Sequence, residues 1–172
     1  MQWWIYLVII VGVLAVYFFT AFIIYLLMKR AKKIAYAEME KVIPYEKEKY
    51  DLVSEVIRTM QEEGRYLQKN LLDSYEDLGK TFEKVPFELS AAKNQNDFMI
   101  LYLRKYLKEK NLLKREIYQK LDERLMHAVH LDPSEKNSPY YVYNKKAARY
   151  NAFLSMGMFN IFRGSNAPAP TL

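Results

Sequence analysis

The stretch WWIYLVIIVGVLAVYFFTAFIIYLLMKRAKK, from Trp3 to Lys33, decides the organisation of this chain. Its first part, Trp3 to Met28, is a nearly unbroken apolar run without a charged residue. At about 1.5 Å per residue, a helix of this length spans the roughly 30 Å hydrocarbon core of a bilayer and leaves some length for tilt. The sequence therefore predicts a transmembrane anchor in residues 1–28.

A cleaved signal peptide is the competing interpretation of this stretch. Signal peptides begin with a basic segment, have a shorter apolar run and end at a small-residue cleavage site. This chain begins without Lys or Arg, and its apolar run is long. We therefore favour a retained anchor.

A basic cluster, Lys29, Arg30, Lys32 and Lys33, directly follows the apolar run, whereas Met-Gln precedes it. Positive residues stay on the cytoplasmic side of a span, which predicts an external N-terminus and a cytoplasmic C-terminal part. Such a cluster also attracts anionic lipid headgroups. We therefore predict a basic juxtamembrane helix over residues 29–43 and the lipid bilayer as a partner.

The net charge of +6 does not predict nucleic-acid binding. Four of the 26 basic residues belong to the basic cluster, which leaves 22 against 20 acidic residues. Most of the excess charge thus lies next to the membrane, and no nucleic-acid partner is expected.

Three long helical runs are predicted beyond the anchor. Pro44 is expected to begin the first, and Pro86 to end it, since proline disfavours helical geometry in the residue before it. The second starts near Leu89, and the third at Ser138 and Pro139, where the serine hydroxyl should accept a first-turn N–H. Apolar residues recur three or four positions apart along the runs, with Gly64 in one missing step: Tyr50, Val53, Ile57, Met60, Leu67, Leu71, Tyr75, Leu78 and Phe82; Leu103, Tyr106, Leu113, Ile117, Leu121 and Leu125; Tyr143, Ala147, Tyr150, Leu154 and Ile161.

No window alternates with period two over enough residues to predict a strand, so the expected fold is all-α. Helices with one apolar seam must bury it against each other, which predicts an elongated antiparallel bundle of three to four long helices in residues 44–164. The segment 34–43 is the candidate fourth helix, with a bend allowed at Pro44. Residues 165–172, SNAPAPTL, are expected to form a disordered tail.

The residues typical of enzyme sites are sparse. His127 and His130 lie three apart, but no other histidine exists to complete a metal site, and no phosphate-binding loop or nucleophile elbow is present. We expect no catalytic residue, cofactor or metal, and no enzymatic activity. The alternative is a membrane-tethered hydrolase or metal-dependent enzyme that uses the two histidines and nearby carboxylates.

Tyrosine is in excess, with 15 residues, and the last run repeats a Tyr-Asn pair at Tyr143-Asn144 and Tyr150-Asn151. Seven residues make nearly two helical turns, so both pairs lie on one face. This face either packs in the core or contacts a partner, since Tyr suits partly wet interfaces. It is the candidate interaction face for a protein partner or a second copy of the chain.

Two motifs resemble the LemA family of bacterial proteins. The first is Tyr50, Asp51 and Leu52, and the second is YNKKAARYN, from Tyr143 to Asn151. The resemblance implies an N-terminal anchor followed by a bundle of long helices, and it implies no catalytic residue or cofactor.

The chain departs from the LemA pattern at two places. Ser54 and Glu55 stand where the family has proline and asparagine, and FLSMGMF from Phe153 replaces a Phe-Pro turn. We nevertheless expect a single-pass protein of the bacterial inner or plasma membrane, whose cytoplasmic bundle serves as a protein-interaction or scaffolding module.

Overall fold

A computed structural model of the protein describes residues 3–65, 67–129, 136, 138–156 and 166–172. These ranges contain helices and no strand, which confirms the predicted all-α class. The elements are α1 (Trp3–Glu62), α2 (Lys69–Phe82), α3 (Leu89–Glu109), a 3₁₀ turn (Leu112–Lys114), α4 (Glu116–Val129) and α5 (Pro139–Leu154).

The chain divides into two compact units. The first consists of Met1–Ala37 and Asn144–Thr171, and the second of Glu38–Tyr143 together with Leu172. Residues 144–171, assigned from the sequence to the bundle and the tail, thus cluster with the N-terminal segment. Helices α1 and α5 each contribute residues to both units.

Helix α1 continues through Pro44, where the sequence predicted a new helix to begin. Proline in a helix interior removes one hydrogen bond and clashes with the preceding turn, at a cost of about 3 kcal/mol. Pro44 and Glu40 are both exposed, so water can solvate the Glu40 carbonyl that loses its usual N–H donor. Val42 and Glu46 are fully buried on either side of the proline, and this packing keeps the helix continuous.

The first predicted run is divided at Gly64. Helix α1 ends at Glu62, and Gly64 has a φ of +69°, the left-handed conformation that glycine adopts at helix C-termini. The N–H of the next residue, Arg65, donates to the Met60 carbonyl over 2.8 Å and satisfies one end of the helix. Periodicity alone placed Gly64 inside one long helix, because the apolar spacing continues across the break.

The second predicted run is also divided. Asn111 follows α3 and has a φ of +52°. The 3₁₀ turn then separates α3 from α4. The restart changes which positions face inward: Ile117, predicted to lie on the seam, is 48% exposed, whereas Tyr118 is fully buried.

The predicted start of the last helix at Pro139 is confirmed. The predicted side-chain cap is wrong, because the buried Ser138 hydroxyl has no hydrogen-bond partner within the described ranges. The Ser138 backbone carbonyl instead accepts the Val142 N–H over 3.1 Å. Ile161 and Gly164, expected to continue and end this helix, lie outside the described residues.

The core of the second unit combines α1, α2, α3 and α4. Helix α3 contacts α2, the 3₁₀ turn and α4. The seam residues of all four helices meet in one apolar cluster, whose most buried members are Val53, Val56, Met60, Leu78, Ile100, Leu103, Leu107, Tyr118 and Leu125. The seams predicted for the first and second runs therefore share a core, although each of these runs is divided into shorter helices.

In the first unit, Asn151 fixes the C-terminal residues. Its amide nitrogen donates to the Ala169 carbonyl over 2.9 Å, and its oxygen accepts the Ala169 N–H over 2.8 Å. The Tyr150 hydroxyl donates to the Ala167 carbonyl over 3.1 Å. An asparagine side chain thus satisfies both backbone polar groups of Ala169, in the segment for which the sequence predicts a disordered tail.

A glycine is required at the end of α1, because an L-residue in the left-handed region costs about 1–2 kcal/mol. We expect Gly64→Ala to lower the free energy of unfolding by about 1 kcal/mol, and Gly64→Asn to lower it less, since Asn tolerates this region. Urea unfolding of the full-length protein in detergent micelles, followed by circular dichroism, measures both. An alanine variant as stable as the parent would contradict a left-handed Gly64.

Candidate functional site

A buried polar network in the second unit centres on the Glu46 carboxylate of α1. Glu46 is 0% exposed, and its side chain accepts hydrogen bonds from three residues. The donors are the Tyr140 hydroxyl, the Lys49 ammonium over 3.2 Å and the Asn96 amide over 2.9 Å. The Asn96 amide also donates to the Glu46 backbone carbonyl over 2.9 Å. One carboxylate therefore holds donors from α1, α3 and α5.

The network continues through Lys49, which is 4% exposed. Its ammonium lies 2.8 Å from one oxygen of Asp97, and the Lys93 ammonium lies 2.8 Å from the other oxygen. Burial alone would raise the pKa of Asp97, but the hydrogen bonds from the two lysines outweigh it and hold the pKa below its usual value. Asp97 is therefore ionised at neutral pH, and the four charged groups of the network balance.

Tyr140 faces the same group of charges. Burial, followed by the negative charge of Glu46, raises the pKa of its hydroxyl far above the usual value, so Tyr140 remains a hydrogen-bond donor. Its ring centroid lies 5.3 Å from the Lys49 nitrogen, within the range of a cation–π interaction.

This network is suited to fixing helix positions. Removing one partner from a buried ion pair leaves an uncompensated charge at a cost of about 3–5 kcal/mol, so each helix must keep its register for the buried carboxylate to keep its donors. Glu46 and Asn96 are fully buried and do not contact solvent. We assign the network to positioning α1, α3 and α5.

Sequence reasoning missed this network, although the pattern contains a signal. In α1, Glu46 and Lys49 occupy positions of the apolar seam, and in α3, Asn96 does the same. A polar residue at a seam position is either buried with partners or marks an error in the assigned seam. The seam positions are Val42, Glu46, Lys49, Val53 and Val56 in α1, and Leu89, Ala92, Asn96, Met99 and Leu103 in α3.

The candidate interaction face of α5 is largely buried. Tyr143 and Tyr150 are both 0% exposed, and Asn144 and Asn151 are half-buried. Both tyrosine rings thus pack within the chain, which is the core-packing alternative, and a role of this face in partner binding stays a prediction. A tyrosine ring that packs within the chain has its apolar area removed from water, which is more favourable than leaving the ring exposed.

Two of the three residues of the first LemA-like motif, Tyr50 and Leu52, pack against other residues of the chain. Tyr50 stacks on Tyr75, with ring centroids 5.8 Å apart, and its ring centroid lies 4.8 Å from that of Phe82. Burial and hydrogen bonding with Tyr75 raise the pKa of Tyr50 to about 12. Leu52 is buried and Asp51 is exposed. Tyr50 and Leu52 thus join α1 to the core, and Asp51 faces outward.

The basic cluster lies on the first unit. Lys29, Arg30 and Lys33 are exposed, and Lys32 is half-buried with its ammonium 2.7 Å from the Asn166 side-chain oxygen. All four side chains follow the apolar part of α1 within two helical turns. The positive charge of the basic cluster is therefore concentrated at the C-terminal end of the apolar segment.

The enzymatic alternative rested on His127 and His130. His127 is exposed near the end of α4, whereas His130 lies outside the described residues. Across the residues that the structure describes, no group of three or more His, Asp or Glu side chains is arranged to hold a metal ion.

The Glu46 network can be tested by removing single donors. We expect Tyr140→Phe to lower the free energy of unfolding by about 1–3 kcal/mol, because the buried carboxylate loses a hydrogen bond. Lys49→Met should cost more, about 3–5 kcal/mol, since two carboxylates lose their shared cation. Urea unfolding of the full-length protein in micelles provides the measurement. Tyr141→Phe, at the half-buried neighbouring position, is the control, and an equal loss there would argue against the network.

Comparison with known proteins gives no relative: no protein-family model matches the chain, and no curated protein or solved structure matches it. The resemblance to the LemA family stays a prediction drawn from the motifs at 50–52 and 143–151.

Proposed function

We propose that this protein is a single-pass membrane protein whose apolar N-terminal helix anchors a helical interaction or scaffolding module at the cytoplasmic face of the bacterial inner or plasma membrane. One observation carries the proposal. From Trp3 to Leu27, most of the large apolar side chains of α1 are 41–70% exposed, and their uncovered area would be strongly unfavourable in water. Among the described residues, α1 alone is long and apolar enough to cross a bilayer.

The orientation follows from the residues at the two ends of the apolar segment. Trp3, Trp4 and Tyr6 supply an aromatic belt at one end, and the basic cluster at 29–33 occupies the other. Retaining the positive end inside leaves the N-terminus outside and the second unit in the cytoplasm. The LemA-like motifs support the same arrangement of an anchor and a bundle.

The chain contains no cysteine, so single cysteines report its topology directly. We expect a membrane-impermeant maleimide to label Gln2→Cys in intact cells. The same reagent should label Lys110→Cys, at an exposed position of the second unit, only after the cells are lysed. Gel shifts with a maleimide of high mass measure both reactions. Labelling of Lys110→Cys in intact cells would overturn the proposed orientation.

The second unit supports the scaffolding part of the proposal. Its apolar core joins α1, α2, α3 and α4, and the Glu46 network adds contacts among α1, α3 and α5. We infer that its helices pack against each other as an elongated antiparallel bundle. A rigid helical surface of this kind suits recognition of another protein, because little conformational entropy is lost on binding.

We place the partner surface on α3, since the tyrosines of α5 are buried. Phe98 and Leu101, three residues apart, lie on one face and are 58% and 59% exposed. The Phe98 ring centroid lies 6.4 Å from that of Tyr102, which extends the apolar strip. The strip is small compared with the roughly 800 Å² that each partner buries in a stable interface, so it fits a transient protein partner with an apolar contact residue.

Photocrosslinking tests this surface in intact cells. We expect a photoreactive amino acid at Phe98 or Leu101 to give a discrete covalent adduct with another protein, because an apolar strip brings its partner within van der Waals contact. The controls are Lys120 and Glu123, exposed positions on α4. Equal capture at the control positions would contradict a specific partner surface on α3. An adduct of twice the chain mass would show that the partner is a second copy of the chain.

A further inference from the structure

The two units differ sharply in charge. Both segments of the first unit, Met1–Ala37 and Asn144–Thr171, lack Asp and Glu entirely, because all 20 acidic residues lie between positions 38 and 135. The same two segments contain the basic cluster and a second group, Lys145, Lys146 and Arg149. None of the ion pairs that the structure describes involves a residue of this unit. Its positive charge is therefore not compensated within the unit.

Part of this charge converges on a crevice of about 270 Å³ between α1 and the 144–154 part of α5. Helix α1 contributes Leu27, Arg30 and Ile34, which recur at spacings of three and four and so share one face. Helix α5 contributes Lys146, Arg149 and Phe153 with the same spacing. The crevice thus has three cationic side chains and apolar side chains from both helices.

The apolar residues of the crevice connect it to the anchor. Leu27 is 42% exposed and belongs to the end of the uncovered apolar segment, and Arg30 follows one helical turn later. A ligand that extends along this face would meet a hydrocarbon-like surface first and a guanidinium about 4.5 Å farther along the axis. Arg is well suited to bind a phosphate through two parallel hydrogen bonds.

We infer that this crevice binds the headgroup of an anionic phospholipid, with the phosphate held by Arg30, Lys146 and Arg149 and the start of an acyl chain against Leu27 and Phe153. The charge of the three cations and the continuity with the anchor select this occupant, since a small soluble anion would make no use of the apolar residues. The inference depends on the proposed membrane anchor. It adds that α5 contributes to lipid recognition, beyond the general attraction expected from residues 29–33.

The test compares two triple variants of the full-length protein in zwitterionic detergent micelles, each lacking three positive charges. Arg30→Gln/Lys146→Gln/Arg149→Gln alters the crevice, whereas Lys29→Gln/Lys33→Gln/Lys145→Gln removes charge from the same segments outside it. The probe is fluorescent phosphatidylglycerol, titrated with protein and followed by anisotropy. At about 1 kcal/mol per basic residue, we expect the crevice variant to bind on the order of a hundredfold more weakly and the control variant to keep most of its affinity.

Three results would overturn the inference: equal losses in both variants, equal binding of phosphatidylcholine with the same label, or displacement of the probe by millimolar inorganic phosphate. The first indicates general charge attraction, and the third indicates a site for free anions. Flotation of the parent protein with phosphatidylglycerol vesicles separates this failure from that of the anchor. A protein that floats but lacks lipid preference refutes the crevice alone, whereas a protein that stays in the soluble fraction refutes the proposed membrane location.

Discussion

A carboxylate can be buried at 0% exposure when donors surround it, and Glu46 receives donors from its own helix and from two others. This requirement limits how α1, α3 and α5 can be arranged, because a shift of any one helix by a single position would leave a charge or an amide unpaired in the core. The apolar contacts among the same helices tolerate more variation, since dispersion and apolar burial lack direction. The polar network therefore gives the second unit its register, and the apolar seams give it most of its burial.

Helix α1 joins two parts of different composition in one continuous backbone. Its apolar part has large exposed side chains and contains no charge, whereas its later part has a seam of buried residues and polar residues elsewhere. A helix satisfies its own backbone hydrogen bonds, which makes it suited to both lipid and a protein core. The continuity through Pro44 shows that packing on both sides of a residue can outweigh a loss of about 3 kcal/mol in intrinsic helix stability.

The distribution of charge carries as much information as the apolar pattern. Acidic residues are confined to positions 38–135, so the cations of the first unit have no Asp or Glu partner within that unit. The net charge alone hides this asymmetry, because the nearly balanced second unit dilutes it. If the anchor and the lipid crevice are correct, α5 belongs to the membrane-facing part of the protein, and protein partners are met by other helices, of which α3 has the clearest apolar strip.

The sequence by itself determined the helical class, the long apolar segment with its basic end, and the start of the last helix at Pro139, because these depend on local composition, periodicity and proline geometry. It did not determine where helices stop within a continuous apolar seam, as Gly64 and Asn111 demonstrate, since a left-handed residue leaves the spacing nearly unchanged. The burial of Tyr143 and Tyr150 and the pairing of Glu46 with Asn96 and Tyr140 were decided by tertiary structure alone. A helix face shows which residues lie together, but contacts between distant segments decide whether that face meets water, another helix or a partner.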